Sequence, residues 1–294
     1  MGKLIDYLRI MRPANMVTAV ADILAGIAIS GILISSITTP WFAILCLCLS
    51  TACLYGGGIV FNDVFDVELD KIERPERAIP SGIISLKNAA ILGSALLMSG
   101  IVLASLNSLA SGLLAFGVSC FALMYNKVGK HHPFFGPLSM GICRGLNLLL
   151  GLSIVPEMLQ QHYLLAIIPV IYIFSITMTS RGEVHGGNTK NLYLAAILYA
   201  LVIGAITTFA FQNDRLLWSL LFLLPFAWMI FKPLSKAIKH PIGKNIGAAV
   251  KTGVISLILM DAAWAVTFDA LILAFIIAAL LPLSMWLSKL FAVT

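Results

Sequence analysis

Runs of about twenty apolar residues recur along this chain, separated by short polar connections. A helix needs about 20 mostly apolar residues to cross roughly 30 Å of hydrocarbon. Stretches that meet this length lie at 15–36, 41–61, 87–106, 109–126, 136–155, 161–180, 191–211, 215–232, 246–266 and 270–288. The pattern predicts an all-α fold, a polytopic membrane helical bundle of nine or ten transmembrane helices, forming one integral domain over residues 1–294. The closest pair is 87–106 and 109–126, parted only by "NSL". Asn107 and Ser108 favour a helical hairpin there, with one long kinked helix as the alternative. The opening "MGKLIDYLRIMRP" carries Asp6, Arg9 and Arg12 and no small-residue cleavage site. It predicts an amphipathic lead-in at the membrane surface rather than a cleavable signal.

Composition sharpens this picture. Hydrophobic residues make up 60% of the chain and charged ones 11%, against roughly a quarter charged in soluble domains. A soluble globule is excluded. Of the nineteen Lys and Arg, all but Arg144 and Arg215 fall on alternate connections, at their membrane edges or at the termini. Basic loops stay cytoplasmic, so both termini and the loops at 62–86 and 180–191 are expected on the cytoplasmic face. The net charge of +6 follows from this bias and gives no sign of nucleic acid. The five cysteines lie in or at the ends of apolar spans without metal spacing, and the odd count argues against a disulfide framework.

One stretch breaks the apolar rule. "FNDVFDVELDKIERPERAIPSG", residues 61–82, holds Asp63, Asp66, Glu68, Asp70, Glu73 and Glu76, with Lys71, Arg74 and Arg77. If the second span continues as a helix, Asn62, Asp66 and Asp70 share a stripe at i, i+4, i+8, with Asp63 one step away. Two carboxylates about 5 Å apart repel by about 3 kcal/mol at an effective dielectric near 20. A bridging cation relieves that cost, and oxygen-only ligands suit Mg²⁺ completed by water and phosphate. Arg74 and Arg77 can grip phosphate in bidentate fashion. The alternative is a solvated loop whose acids and bases neutralise one another through i, i+4 pairs.

"NDVFDVELD" resembles the first aspartate-rich motif of the UbiA superfamily of intramembrane prenyltransferases. "RPANMVTAVADILAG" resembles the family's start of helix one, "RPERAIPSGIIS" the run after the motif, and "YNKVGK" at 125–130 the end of helix four. The resemblance implies a helical bundle in which two facing acidic motifs hold Mg²⁺ on a prenyl diphosphate. Ionisation then gives an allylic cation that alkylates a lipophilic, commonly aromatic, acceptor. It implies Asn62, Asp63, Asp66, Asp70 and Glu183 as metal ligands, Asp66, Asp70 and Glu183 as catalytic groups, and Lys130 as a phosphate contact; a variant site adds Arg181 as a catalytic group that contacts phosphate in place of a second ion. The second motif departs from the family. "SRGEVHGGNTKN" at 180–191 offers one acid, Glu183, with Arg181 and His185 beside it and Asn188 as a further metal ligand. "SRGEVHGG", "GICRGLNLLLG" and the ending "KLFAVT" resemble the UbiA-like EboC branch. That resemblance implies a bacterial inner membrane and leaves the branch's own activity open.

Polar residues also stand inside spans: Asp22, Arg144, Asn147, Lys251 and Asp261. An unpaired charge at a helix centre costs roughly 2.5–3.5 kcal/mol on insertion scales, so such groups face the interior or pair. Arg144 and Asn147 are one turn apart. They contact diphosphate or acceptor, or they form a structural pair with Asp22 or Asp261. Lys251 is close enough to the edge to snorkel. The small residues of "YGGGIV" at 55–60 predict close helix approach.

The sequence therefore predicts Mg²⁺-dependent prenyl transfer from a prenyl diphosphate within the lipid bilayer, with a non-catalytic scaffold that binds or exports a hydrophobic metabolite as the alternative. Chain length, acceptor and oligomeric state are not encoded in these patterns. In a background without the native cysteines, cysteines placed at Ser81 and Thr189 should both be labelled from the cytoplasmic side. Labelling from opposite sides would refute a shared site.

Overall fold

The computed structural model describes residues 2–35, 39–181, 187 and 189–291. These residues form helices and turns, with no strand among them. The order is α1 (Gly2–Met11), α2 (Pro13–Ile29), the single turn α3 (Ile32–Ser35), α4 (Trp41–Phe65), α5 (Val67–Glu73), α6 (Leu86–Ser105), α7 (Leu109–Lys127) and α8 (Phe135–Leu152). Then come α9 (Pro156–His162), α10 (Ile167–Ser180), α11 (Thr189–Gln212), α12 (Leu216–Lys239), α13 (Gly243–Thr267) and α14 (Leu271–Leu290). Nine described segments are long and apolar enough to cross a membrane, with Pro156–Ser180 counted as one. The pair Ile5–Met11 and Pro13–Ile29, bent by 52°, makes up to ten. The chain is an all-α, multi-pass integral membrane protein.

Each expected span carries a helix. The hairpin at Asn107 is real. Ser108 caps α7 by accepting from the Ser111 N–H at 3.1 Å, and Asn107 donates to Ser111 Oγ and to the Ser153 carbonyl. These bonds satisfy helix-end groups that a continuous helix would not need. Two helices run past their expected ends. α4 continues to Phe65 and α12 to Lys239, because their polar last turns keep the helical hydrogen-bond ladder after the apolar core is spent.

The connections sort into two ends. At one, Asn62 meets Asn126, Lys130 meets Asp66, Arg181 bonds the His132 carbonyl, and the Gly187 N–H bonds the Pro241 carbonyl. The basic loops are thus gathered together. At the other, Asn107 bonds the Ser153 carbonyl and Arg215 pairs with Asp269 at 2.6 Å.

α2 stands in the middle, packed on α4, α8, α13 and α14. Its Ala21, Ala25 and Ala28 face a large core around Tyr172, Phe226 and Trp264, while Ile23 and Ile27 face a second core with α4, α6, α7 and α8. Small residues set the spacing, as "YGGGIV" led one to expect: a Cβ on Gly57 would lie 2.9 Å from Leu97 and 3.0 Å from the Gly93 carbonyl of α6. The α2–α8 crossing is tighter still. A Cβ on Gly26 would fall 2.3 Å from the Leu148 carbonyl, and one on Gly151 2.3 Å from the Ile23 carbonyl. The two backbones touch, and no rotamer change can make room. Gly151→Ala should therefore lower stability in detergent by about 1–3 kcal/mol, read as a lower Tm. Gly204→Ala, where open space surrounds the new methyl, should leave Tm unchanged or raise it. Equal melting of the two variants would contradict the backbone contact.

Candidate active site

α4 ends at Phe65, and Asp66 sits at φ −90°, ψ 1° between it and α5. The helical ladder nevertheless persists, with Asp66 N–H bonded to the Asn62 carbonyl at 3.0 Å and Asp70 N–H to the Asp66 carbonyl at 2.8 Å. Helical phase carries across the break, so Asn62, Asp63, Asp66 and Asp70 stay at helical spacing along the end of α4 and α5. After α5, Arg74 turns the chain. The Arg77 N–H bonds the Arg74 carbonyl, and the Ile84 N–H bonds the Ala78 carbonyl at 2.9 Å. Ile79 and Ile84 bury against Val60 and Ile10. That small core folds the loop back and returns Arg77 to the acids.

The acids are already matched with bases. Asp63 Oδ1 lies 3.2 Å from Arg12 Nη2 and 3.3 Å from Arg77 Nη1. Asp70 Oδ2 accepts from Arg77 Nη1 at 2.8 Å, and Asp66 pairs with Lys130. Asn62 donates to Asn126 Oδ1 at 3.1 Å, and Asn126 donates to the Gly58 carbonyl at 2.8 Å. Asn62 is thus held by its NH₂ end, which leaves its amide oxygen for a ligand. Partial burial lowers the pKa of Lys130 below the ordinary lysine value. Arg74 is exposed at the end of α5 and lies in the electrostatic surroundings of Asp63.

The expected helical spacing is kept, and the partners divide it. Asp63 joins Asp70 through Arg77, while Asp66 and Asn62 face the end of α7. Nor are the acids neutralised by neighbours along the helix; among the ion pairs here only Lys71–Glu68, at 2.7 Å and exposed, is of that local kind. Arg12 was not foreseen as a partner. It sits at the 52° break before α2, with φ 49°, and the signal for it was the Arg-Pro pair at a helix start. Asn126, inside "YNKVGK", was likewise missed.

On the facing side, Arg181 Nη1 donates to the His132 carbonyl at 2.7 Å, which ties the end of α10 to the turn that carries Lys130. Glu183, His185 and Asn188 lie outside the described residues.

Arg144 and Asn147 go elsewhere. Deeper between α2, α4, α8 and α13, Arg144 Nε lies 2.5 Å from Asp22 Oδ2, too poorly aimed for a hydrogen bond, and its Nη2 donates to the Thr18 carbonyl at 2.7 Å. Asn147 donates to Asp22 and to the Ala19 carbonyl, both at 2.9 Å, and accepts from Thr51 at 2.6 Å. Asp261 joins from α13, against Asp22. Neither of its oxygens has a hydrogen-bond donor among the described residues. Tyr55, beside Asn15 and within electrostatic reach of both Arg12 and Arg144, links this node to the acids at the end of α4.

The upper site fits Mg²⁺ of one kind only. Among the described residues no three His, Cys, Asp or Glu side chains gather closely enough to cage an ion. Mg²⁺ does not require a cage. It commonly takes one or two carboxylates and completes its shell with water and phosphate oxygens. Asp63, Asp66, Asp70 and the Asn62 oxygen supply hard donors of that type.

Removing one partner of a buried ion pair costs about 3–5 kcal/mol, because the other charge is stranded. Arg144→Ala should accordingly destabilise the protein by that amount, and Asp22→Asn combined with Arg144→Met should recover part of it. Thermal unfolding in detergent checks this. A neutral Arg144→Ala would show that the node carries no stability.

Three comparisons bear on this architecture. A model of the UbiA prenyltransferase family matches residues 23–239. The chain is 38% identical over 144 residues to digeranylgeranylglyceryl phosphate synthase of Methanothrix thermoacetophila, covering 49% of this chain and 52% of that protein. The Saccharolobus solfataricus synthase of the same name is 33% identical over 178 residues, 59% of each chain. The matches thus span only about half the length of these curated relatives. A solved digeranylgeranylglyceryl phosphate synthase superposes with a TM-score of 0.66 at 22% identity, over 91% of this chain and 99% of that one. A UbiA homolog from Archaeoglobus fulgidus bound to GPP and Mg²⁺ superposes with a TM-score of 0.61 at 16% identity, over 86% and 99%. At these identities the structural likeness shows the fold alone. The family model covers most of the chain, and the chain belongs to the UbiA prenyltransferase family.

Proposed function

We propose that the chain is a Mg²⁺-dependent membrane prenyltransferase acting on a prenyl diphosphate and a lipophilic acceptor at the cytoplasmic end of a single bundle. The observation that carries this reading is the convergence of Asp63, Asp66 and Asp70 with Arg12, Arg77 and Lys130 from three separate segments. The A. fulgidus homolog bound to GPP and Mg²⁺ supports the substrate and cofactor classes. The names of the sequence relatives put a glyceryl phosphate acceptor ahead of an aromatic one.

The charge balance says how the site would work. Its acids and bases offset one another, so a diphosphate arrives as uncompensated negative charge. Mg²⁺ held by one or two of the carboxylates Asp63, Asp66 and Asp70, with the Asn62 oxygen, water and phosphate completing its shell, would offset that charge. As the acids take up this role, Arg12, Arg77 and Lys130 are released toward phosphate oxygens, with Arg74 at the rim. Arg181, anchored to the turn carrying Lys130, and Glu183 are assigned as further catalytic groups. In the transfer itself the bond between the allylic carbon and the diphosphate oxygen breaks, and the electron pair leaves with the diphosphate. The acceptor bonds to the allylic carbon and loses its proton to the departing diphosphate or to water. The fixed cations stabilise the charge that grows on the leaving group. In this reading Arg144 and Asn147 hold the helices beneath the site, through Asp22.

A second reading, a non-catalytic scaffold for a hydrophobic metabolite, draws on the same pairing: the protein neutralises its own acids without a ligand. Diphosphate release by purified protein, with a panel of prenyl diphosphates with and without Mg²⁺, separates the two. The enzyme should release diphosphate only with Mg²⁺. Asp66→Asn and Asp70→Asn should each lower kcat by about a hundredfold or more. No release with any diphosphate, alongside retained binding of a prenylated lipid, would establish the scaffold.

A further inference from the structure

The basic end of the bundle holds a second feature, away from the acids. α11 and α12 form an antiparallel hairpin, and near its basic end they leave a groove of about 420 Å³. Its floor is Ala196, Phe231, Leu234 and Ile238, all apolar. Its rim is Trp228, Lys232 and Ser235. The Lys232 ammonium sits 4.2 Å from the centroid of the Trp228 ring. A lysine at a membrane edge ordinarily extends its head into water. This one is held back over an exposed aromatic face, where a cation–π contact fixes its position. Lys236 and Lys239 follow at i+4 and i+7, on the same side of α12 and exposed, and Lys190 begins α11 at the same end. The Ser235 hydroxyl turns back to the Lys232 carbonyl at 2.9 Å, so the rim's charge comes from lysine alone.

We propose that this groove binds one anionic phospholipid, with its phosphate on Lys232 and an acyl chain along Phe231 and Ala196. Three features define the occupant. The apolar floor lies on a membrane-spanning hairpin, where a lipid chain is the available apolar partner. The rim is cationic and carries no carboxylate, which is complementary to an anionic headgroup. Tryptophan is the residue that marks headgroup depth.

Native mass spectrometry of the detergent-solubilised full chain, titrated with phosphatidylglycerol or phosphatidylcholine, tests the proposal. One phosphatidylglycerol should bind ahead of all others and ahead of phosphatidylcholine. Lys232→Ala should weaken that first binding by about fivefold, the size expected for one basic residue at an anionic lipid surface. Trp228→Leu, which keeps the floor apolar, should weaken it in the same direction, and Lys232→Arg should retain it. Lys87→Ala, an exposed lysine at the start of α6, should have no effect. Equal losses from Lys87→Ala and Lys232→Ala would reduce the effect to general surface charge and overturn the site. So would displacement of the lipid by glycerophosphate at equal concentration, or a dimer whose formation excludes the lipid.

Discussion

Charge pairing inside a low-dielectric bundle is the constraint on which the rest depends. A carboxylate taken out of water needs a cation or a donor close by. Here two of the three cations come from far along the chain and the third from the loop that follows. Arg12 reaches Asp63 from the break before α2, Lys130 reaches Asp66 from the turn after α7, and Arg77 folds back from the loop after α5. Each pair fixes one helix end against another. Below them, Arg144 and Asn147 do the same for α2, α4 and α8. A polar column therefore runs into an otherwise apolar molecule, and the helices are registered along it. The same pairs that register the bundle are those the proposed diphosphate would rearrange.

Much of the fold was legible because a bilayer leaves the backbone few choices. Twenty apolar residues in a row must form a helix there, so the spans could be read by length alone. The Asn107–Ser108 hairpin was readable because both residues are good helix-end groups. The close contacts around Gly57 were readable as a run of small residues. The Gly26–Gly151 contact was not, since these glycines stand alone in the sequence and only the crossing of α2 and α8 brings them together.

The site was legible by residue type and less so by pairing. Asn62, Asp63, Asp66 and Asp70 were evident as acids and an amide with helical spacing. Which base serves which acid depends on tertiary return paths, and no local pattern encodes these. Arg12 is 51 residues from Asp63, and its exit from helical geometry at a positive φ has no signature beyond the following proline. For Arg144 and Asn147 the residues left two roles open, and the observed partners are Asp22, Thr51 and backbone carbonyls.

The touching backbones of α2 and α8 have a mechanical consequence. Side chains packed between helices can change rotamer and act as a compliant layer, but two backbones in direct contact have no such layer. α2 and α8 must then move as one stiff strut through the centre of the protein. Any breathing of the bundle has to be borne by the parts not joined to that strut. The loop after α5 packs through its own small core of Ile79 and Ile84, separate from that strut.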